Sequence, residues 1–283
     1  MKSNVPKKNL FNKLKKLVIS LIEQSEHLVK ADKLLYALRE VTATVDSIPL
    51  IASSVMSKKI AAGANKILLD VAVGQGAFMK SLEEAEHLSE TMVSLGREVG
   101  RETIAVITDM SQPLGRAIGN RLEIFEAIEI MQGKGHADIT EFICELAEIL
   151  LNLTGVESSS DKIRQHLVEG VALSKFEELI EAQGGDLDDL YRKSAAAYVT
   201  EVLADEEGYI SELPALAFGK YAMKLGAGRT TKADTLNYET GIVFEKKVDD
   251  SVKVSETVDN IYSDQALIEE LIDEFKAYIT NQQ

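Results

Sequence analysis

Apolar residues recur along this chain in two rhythms, and the change from one to the other divides it. From the first residue to about residue 62 the spacing is helical, with a break near Thr42–Asp46. Ser47 followed by Pro49 predicts a helix start, because a serine caps and a proline suits the first turn; Gly63 predicts where that helix ends. "NKILLDVAV" (65–73) is a short unbroken apolar run between turn formers, the pattern of a buried strand, and it feeds directly into "GQGAFM". An amphipathic helix is predicted over 81–98, bounded by Gly100. A second strand, "TIAVITDM" (103–110), then runs into the loop "SQPLGRAIGN", with helices over 121–131 and 138–153. This alternation is that of an α/β domain with parallel strands.

Residues 160–195 read as helices around the turn "AQGGD". After Tyr198 the rhythm shortens to two. "YVTEVLADEEGYISELPA" and "TGIVFEKKVDDSVKVSETVDNIYSD" alternate apolar and polar residues around a short helix, "ALAFGKYAMKLGAG", and a last helix begins near Asp264. The expected fold class is therefore α/β with a helical subdomain and a C-terminal α+β domain of barrel-sandwich texture. The expected division is 1–62 helical, 63–203 α/β and 204–283 α+β.

Composition narrows the partners. The formal charge of −15 disfavours nucleic acid and anionic membrane surfaces, where a basic footprint is expected. No run approaches the roughly 20 apolar residues needed to cross a bilayer. The lysine-rich start resembles a signal peptide, but its apolar stretch, Leu17–Ile22, is short and no small-residue cleavage site follows, so it reads as an amphipathic helix with a basic face. The single cysteine, Cys144, lies in a helical-period run and reads as a small buried hydrophobe in a reducing, cytoplasmic setting.

Pattern alone leaves the candidate chemistry open. "GQGAFM" after a strand is either a ligand loop or a tight strand-to-helix turn, since Met79 takes the place of the third glycine. "TDMSQPLGRAIGN" is either a capped helix start or a loop whose freed carbonyls coordinate a cation, with Glu126 adding a carboxylate. His27, His87, His136 and His166 lack metal-ligand spacing and read as surface residues. Ser54 and Lys58, at i and i+4, share a helix face, and such a pair by itself reads as a solvated face.

Together, "LYALREVTATVDSIPLIASSVMSKK", "GQGAFM", "TDMSQPLGRAIGNRLE", "AQGGD" and "KLGAGRTTKAD…GIVFEKK" closely resemble, in that order, the pyrimidine-nucleoside and thymidine phosphorylases, from about Gln24 to near residue 275. The resemblance implies phosphate-dependent cleavage of uridine, thymidine or deoxyuridine to free base and pentose 1-phosphate, in a cytoplasmic homodimer without an organic cofactor. It implies that Arg39, Ser54 and Lys58 hold the pyrimidine ring and that Phe78 lines the base pocket. It also implies a potassium ion at Leu114, Ala117 and Glu126. It assigns no residue of this sequence to the catalytic step.

The departures are as specific. The family's Lys-x-Ser-Thr-Gly-Gly loop and a later Gly-rich segment, which together hold phosphate, do not occur in this sequence, so no phosphate site is found. Ala72 stands where a lysine is usual, and Arg121 where a small residue is usual. The expectation is a truncated relative: an enzyme of this family, or an inactive fragment or C-terminal half of a split enzyme, with an unpaired sheet edge. A carrier module with Lys246 or Lys247 as the attachment point is a further alternative.

Overall fold

The computed structural model describes residues 19, 21, 29–42, 44–192, 194–229, 231, 234–277 and 279–282. The expected basic helix and His27 lie outside the described residues. Two helices, α1 (Lys30–Thr42) and α2 (Ile48–Ala61), flank the anticipated break. Ser47 occupies the N-cap of α2 without a side-chain bond, and Gly63 adopts φ +84° just past its end, a conformation that favours glycine.

The α/β part is built on β1 (Lys66–Val73) and β2 (Glu102–Asp109), paired in parallel from Lys66↔Glu102 to Val73↔Asp109 and connected by α3 (Leu82–Glu98). Ser81 caps α3 by accepting the Glu84 N–H at 3.2 Å. Side chains alternate across β1, so Ile67, Leu69 and Val71 face one side. There they pack with Ala52 and Met56 of α2 and Ala85, Leu88 and Met92 of α3. The helical subdomain is thus anchored to the sheet through α2.

After a two-residue strand, β3 (Ala117–Ile118), come α4 (Asn120–Met131), α5 (Ala137–Leu153), α6 (Ser160–Val168), α7 (Val171–Ala182) and α8 (Leu187–Tyr191). Cys144 is buried beside Ile130, Ile139 and Leu167, as its helical context predicted, and burial pushes its thiol pKa up. His87, His136 and His166 are exposed.

The C-terminal α+β part comprises β4 (Tyr198–Leu203), β5 (Gly208–Glu212), α9 (Ala215–Lys224), β6 (Gly241–Phe244), β7 (Ser251–Val252), β8 (Thr257–Ser263), α10 (Glu269–Lys276) and β9 (Thr280–Gln282). Its sheets run β3-β6-β8-β4 and β7-β5-β9, and every pairing in them is antiparallel. β4 joins this sheet six residues ahead of the division expected at 204, and β3 is lent to it by the loop after β2. With no tryptophan, the core relies on aromatic edges: Phe218 meets Phe244 and Phe275 at centroid distances of 4.9 and 5.2 Å, and Tyr221 meets Phe275 at 5.0 Å.

Asp259 on β8 is out of keeping with that core. It is 1% exposed, neither carboxylate oxygen has a hydrogen-bond partner, and burial, with Glu245 nearby, pushes its pKa up to about 8. The folded chain keeps this proton where the unfolded chain has lost it. The resulting stability is present at acid pH and lost between about pH 4 and pH 8. Asp259→Asn is expected to stabilise the fold at pH 7.5 by roughly 1–3 kcal/mol and to leave it little changed near pH 4. Denaturant unfolding at the two pH values measures this; an equal effect at both would show that Asp259 is ionised in the fold.

Candidate active site

Two polar residues of "LYALREVTATVDSIPLIASSVMSKK", Arg39 and Ser54, turn inward. α1 presents Asp32, Leu35, Tyr36 and Arg39 to a cavity of about 130 Å³, and α2 presents Leu50, Ser53, Ser54 and Ser57 from the other side. Cavities of about 150 Å³ hold a single benzene ring, so this space suits one six-membered ring and not a whole nucleoside.

Arg39 is 6% exposed and shapes the turn between the helices. Its Nε donates to the Thr44 carbonyl at 3.2 Å, Nη1 to that of Leu50 at 3.5 Å, and Nη2 to that of Val45. The guanidinium carbon lies 5.6 Å from the centre of the Tyr36 ring. Five N–H groups less these three leave one on each Nη for a ligand.

Ser54 and Lys58 do not form the solvated face that their spacing alone suggests. Ser54 is buried, and its Oγ accepts from Lys58 Nζ at 3.2 Å; Nζ also pairs with Asp32 Oδ2 at 3.2 Å. The pair faces α1, not solvent, because α2 is the helix anchored in the core. Lys58 keeps a third N–H and a one-third exposed side chain. Asp32 is a member of this group that sequence reasoning missed. The signal was present: Asp32, Tyr36 and Arg39 lie at i, i+4 and i+7 on one helix face.

Phe78 is placed elsewhere. It is 64% exposed on the loop after β1 and is not among the residues lining the cavity. The glycines of that loop serve close packing. Gly74, at φ +126°, lies so near Ser111 that a Cβ would come within 2.8 Å of its backbone nitrogen, and Gly76 donates to the Met110 carbonyl at 3.0 Å. Lys80 Nζ closes the loop by donating to the carbonyls of Gln75 and Ala77.

Leu114, Ala117 and Glu126 come together, lining one cavity of about 410 Å³ on the loop after β2. Glu126 Oε1 accepts the Arg116 N–H at 2.5 Å, and its carboxylate lies against Gly115, where a Cβ would meet Oε2 at 2.1 Å. The carbonyls of this loop already hold one cation. Lys247 Nζ, buried, donates to Gly115 O at 3.0 Å and to Pro113 O, and burial pulls its pKa below the ordinary lysine value. That burial rules out Lys247 as a carrier attachment point. Lys246 is also engaged, with Ser251 O at 3.0 Å and Glu256 at 2.6 Å. No group of three or more His, Cys, Asp or Glu side chains forms a metal cluster among the described residues. Nor, among them, is any helix long and apolar enough to cross a membrane.

Known proteins share this arrangement of sequence. A family model described as the glycosyl transferase family, a/b domain, matches residues 3–180, and one described as the pyrimidine nucleoside phosphorylase C-terminal domain matches residues 209–282. The pyrimidine-nucleoside phosphorylase of Geobacillus stearothermophilus is 49% identical over 271 residues, covering 93% of this chain and 62% of that protein. Its namesake from Staphylococcus haemolyticus is 50% identical over 261 residues, covering 90% and 60%. That of Staphylococcus aureus is 46% identical over 269 residues, covering 93% and 62%. The chain spans about three fifths of the length of these relatives.

The turn role of Arg39 is separable from ligand binding. Arg39→Ala leaves three carbonyls without their donor and is expected to cost about 2–4 kcal/mol of unfolding free energy in the absence of any ligand. Arg39→Lys should recover less than half of that, because a point ammonium cannot serve three diverging acceptors. Urea unfolding of the three proteins checks this, and equal midpoints would contradict the turn role.

Proposed function

The chain belongs to the glycosyl transferase family of the α/β type, and on that premise we propose that it serves the phosphorolysis of pyrimidine nucleosides, in cytoplasmic salvage. The observation that carries this reading is the one-ring cavity between α1 and α2, lined by Arg39 and Ser54, with Lys58 bonded to the lining residues Ser54 and Asp32. In phosphorolysis a phosphate oxygen attacks C1′ as the bond from C1′ to the base nitrogen breaks. The electron pair of that bond leaves with the base. Free N–H groups on Arg39 and Lys58 donate to the ring carbonyl oxygens, where the charge of the departing base accumulates. The Ser54 hydroxyl meets the ring N–H. Asp32 holds the Lys58 ammonium in place while the ring binds. Phe78, exposed on the loop after β1, would offer an apolar surface to the nucleoside.

A second reading is a chain that binds base but releases none by itself. It is favoured by one feature of the sequence, the lack of a Lys-x-Ser-Thr-Gly-Gly loop to hold phosphate. Two measurements separate the readings: calorimetric titration with uracil and thymine, and base release from uridine and thymidine with phosphate present. Both readings require base binding, weakened about tenfold or more by Ser54→Ala and by Lys58→Met. Unchanged affinity in both variants would remove the cavity from the site. Binding without base release selects the second reading.

Leu114, Ala117 and Glu126 suit a potassium ion in their donor chemistry: two backbone carbonyls and one carboxylate, all oxygen. Bound there, the ion would neutralise Glu126 and brace the loop after β2. The melting midpoint is expected to be higher in potassium chloride than in choline chloride at equal ionic strength, and Glu126→Gln is expected to erase the difference. Coincident melts of the unsubstituted chain in the two salts would refute the site.

A further inference from the structure

The loop after β2 uses its carbonyls unevenly. Between Pro113 and Ala117, the carbonyls of Pro113 and Gly115 accept from Lys247 Nζ, the latter at 3.0 Å, and that of Arg116 accepts the Phe244 N–H at 2.7 Å. Among the described residues nothing donates to the Leu114 carbonyl. Ala117 faces Val243, and Arg116 is the residue bonded to Phe244, so the alternation of an antiparallel pair turns the Ala117 carbonyl away from β6. β3 is the outermost strand of its sheet, and among the described residues no strand stands on that side. Leu114 and Ala117, whose carbonyls are left over, line the cavity of about 410 Å³ together with Glu126. Glu126 spends Oε1 on the Arg116 N–H and keeps Oε2 without a hydrogen-bond partner among the described residues.

Lys247 approaches the loop from the other side. It lines a neighbouring cavity of about 400 Å³ and not this one, while Pro113 and Leu114 line both. The loop is therefore a partition, with the ammonium on one side and the unused oxygens on the other. A peptide unit is planar, so a carbonyl between two held neighbours turns only at the bonds that flank it. Holding Pro113 O and Gly115 O to one point thus confines the Leu114 carbonyl, and the Arg116 bond confines that of Ala117. Such confinement matters for potassium, because carbonyl dipoles bind it as a converging set that replaces its hydration shell. The ammonium also repels a second cation. That repulsion is offset, since Asp138, Glu126 and Asp250 act on the Lys247 charge favourably and Arg116 alone opposes it.

We propose that Lys247 is the positioning residue of the cation site: it holds alternate carbonyls of the loop so that those of Leu114 and Ala117 converge with Glu126 on a potassium ion. The proposal rests on the potassium reading above and adds to it the residue that pre-forms the site without touching the ion. The test follows the melting midpoint of the full chain by circular dichroism as potassium chloride replaces choline chloride at constant ionic strength. The readout is the potassium concentration that gives half of the shift, which a general loss of stability does not move. Lys247→Met is expected to raise that concentration about tenfold or more, because the carbonyls lose their common donor. Lys247→Gln keeps two N–H donors and is expected to stay within about threefold of the unsubstituted chain. Lys247→Ser, too short to reach either carbonyl, takes the place of the methionine variant should that one not fold. A concentration unchanged or lowered in the methionine or serine variant overturns the proposal, the lowered value showing that repulsion prevails. A glutamine variant as weak as the methionine or serine one overturns it too. If the unsubstituted chain melts alike in both salts, the potassium reading falls and this inference with it; if it responds and the substitutions leave the response as it was, the inference alone falls.

Discussion

The buried ammonium of Lys247 holds the loop after β2 to the C-terminal part of the molecule, and much else depends on it. A lysine is rarely buried without a carboxylate in direct contact, since desolvation favours loss of its proton. Here two carbonyls receive the charge, and Asp138, Glu126 and Asp250 favour it from a distance while Arg116 opposes it. Around this centre the loop is sewn on by main-chain bonds. Phe244 N–H donates to Arg116 O at 2.7 Å, β3 pairs with β6, and the Arg116 side chain reaches Glu245 O at 2.8 Å. A loop that would otherwise be mobile at the C-terminal end of a strand, where α/β folds place ligands, is fixed by a residue 134 positions away from the carbonyl it holds.

A second tie runs through Arg121. Its guanidinium meets Glu239 at 2.9 Å and Asp189 at 3.3 Å; Arg192 adds another contact to Glu239 at 2.8 Å, and the Ala195 N–H a third at 2.9 Å. These cations and N–H donors hold the Glu239 carboxyl below the usual carboxylate range, against the opposing pull of its burial. One arginine on α4 thereby links α8, the segment before β4 and, through Glu239, the approach to β6. A small side chain at this position could make none of these contacts, which gives a physical reason for the departure noted at Arg121.

Strand, helix and turn positions were largely legible, because each is a local matter of period, cap and glycine. β1, β2, α3 and α5 begin and end within a residue or two of where the pattern places them. The ties were not legible. Lys247 and Arg121 act on partners 134 and 118 residues away, and nothing in their neighbourhoods announces it. The cavity between α1 and α2 was misread by pattern for a different reason. Helical period assigns leucines to the core and charges to solvent. α1 reverses that: Asp32 and Arg39 are buried, and Leu34, Leu35 and Leu38 are more than half exposed. Only the resemblance to known sequences pointed to the inward side, and only the structure showed why Asp32 belongs there.

That reversal has a mechanical consequence. α2 is fastened to the sheet by Ala52 and Met56 within an apolar core, whereas α1 is held chiefly by polar contacts, the three Arg39 bonds and the Lys58–Asp32 pair. Directed bonds lose their strength over small displacements, while apolar burial is insensitive to them, so α1 is the element that opens at low cost. The cavity therefore has one rigid wall, bearing Ser54 with Lys58 bonded to it, and one compliant wall, bearing Asp32 and Arg39. In the proposed function, a planar ring that accepts from Lys58 and from Arg39 would bridge the two walls with charge-assisted bonds and close the compliant one upon itself. On that reading ordering α1 is part of the cost of binding, because Arg39 both shapes the turn and meets the ring.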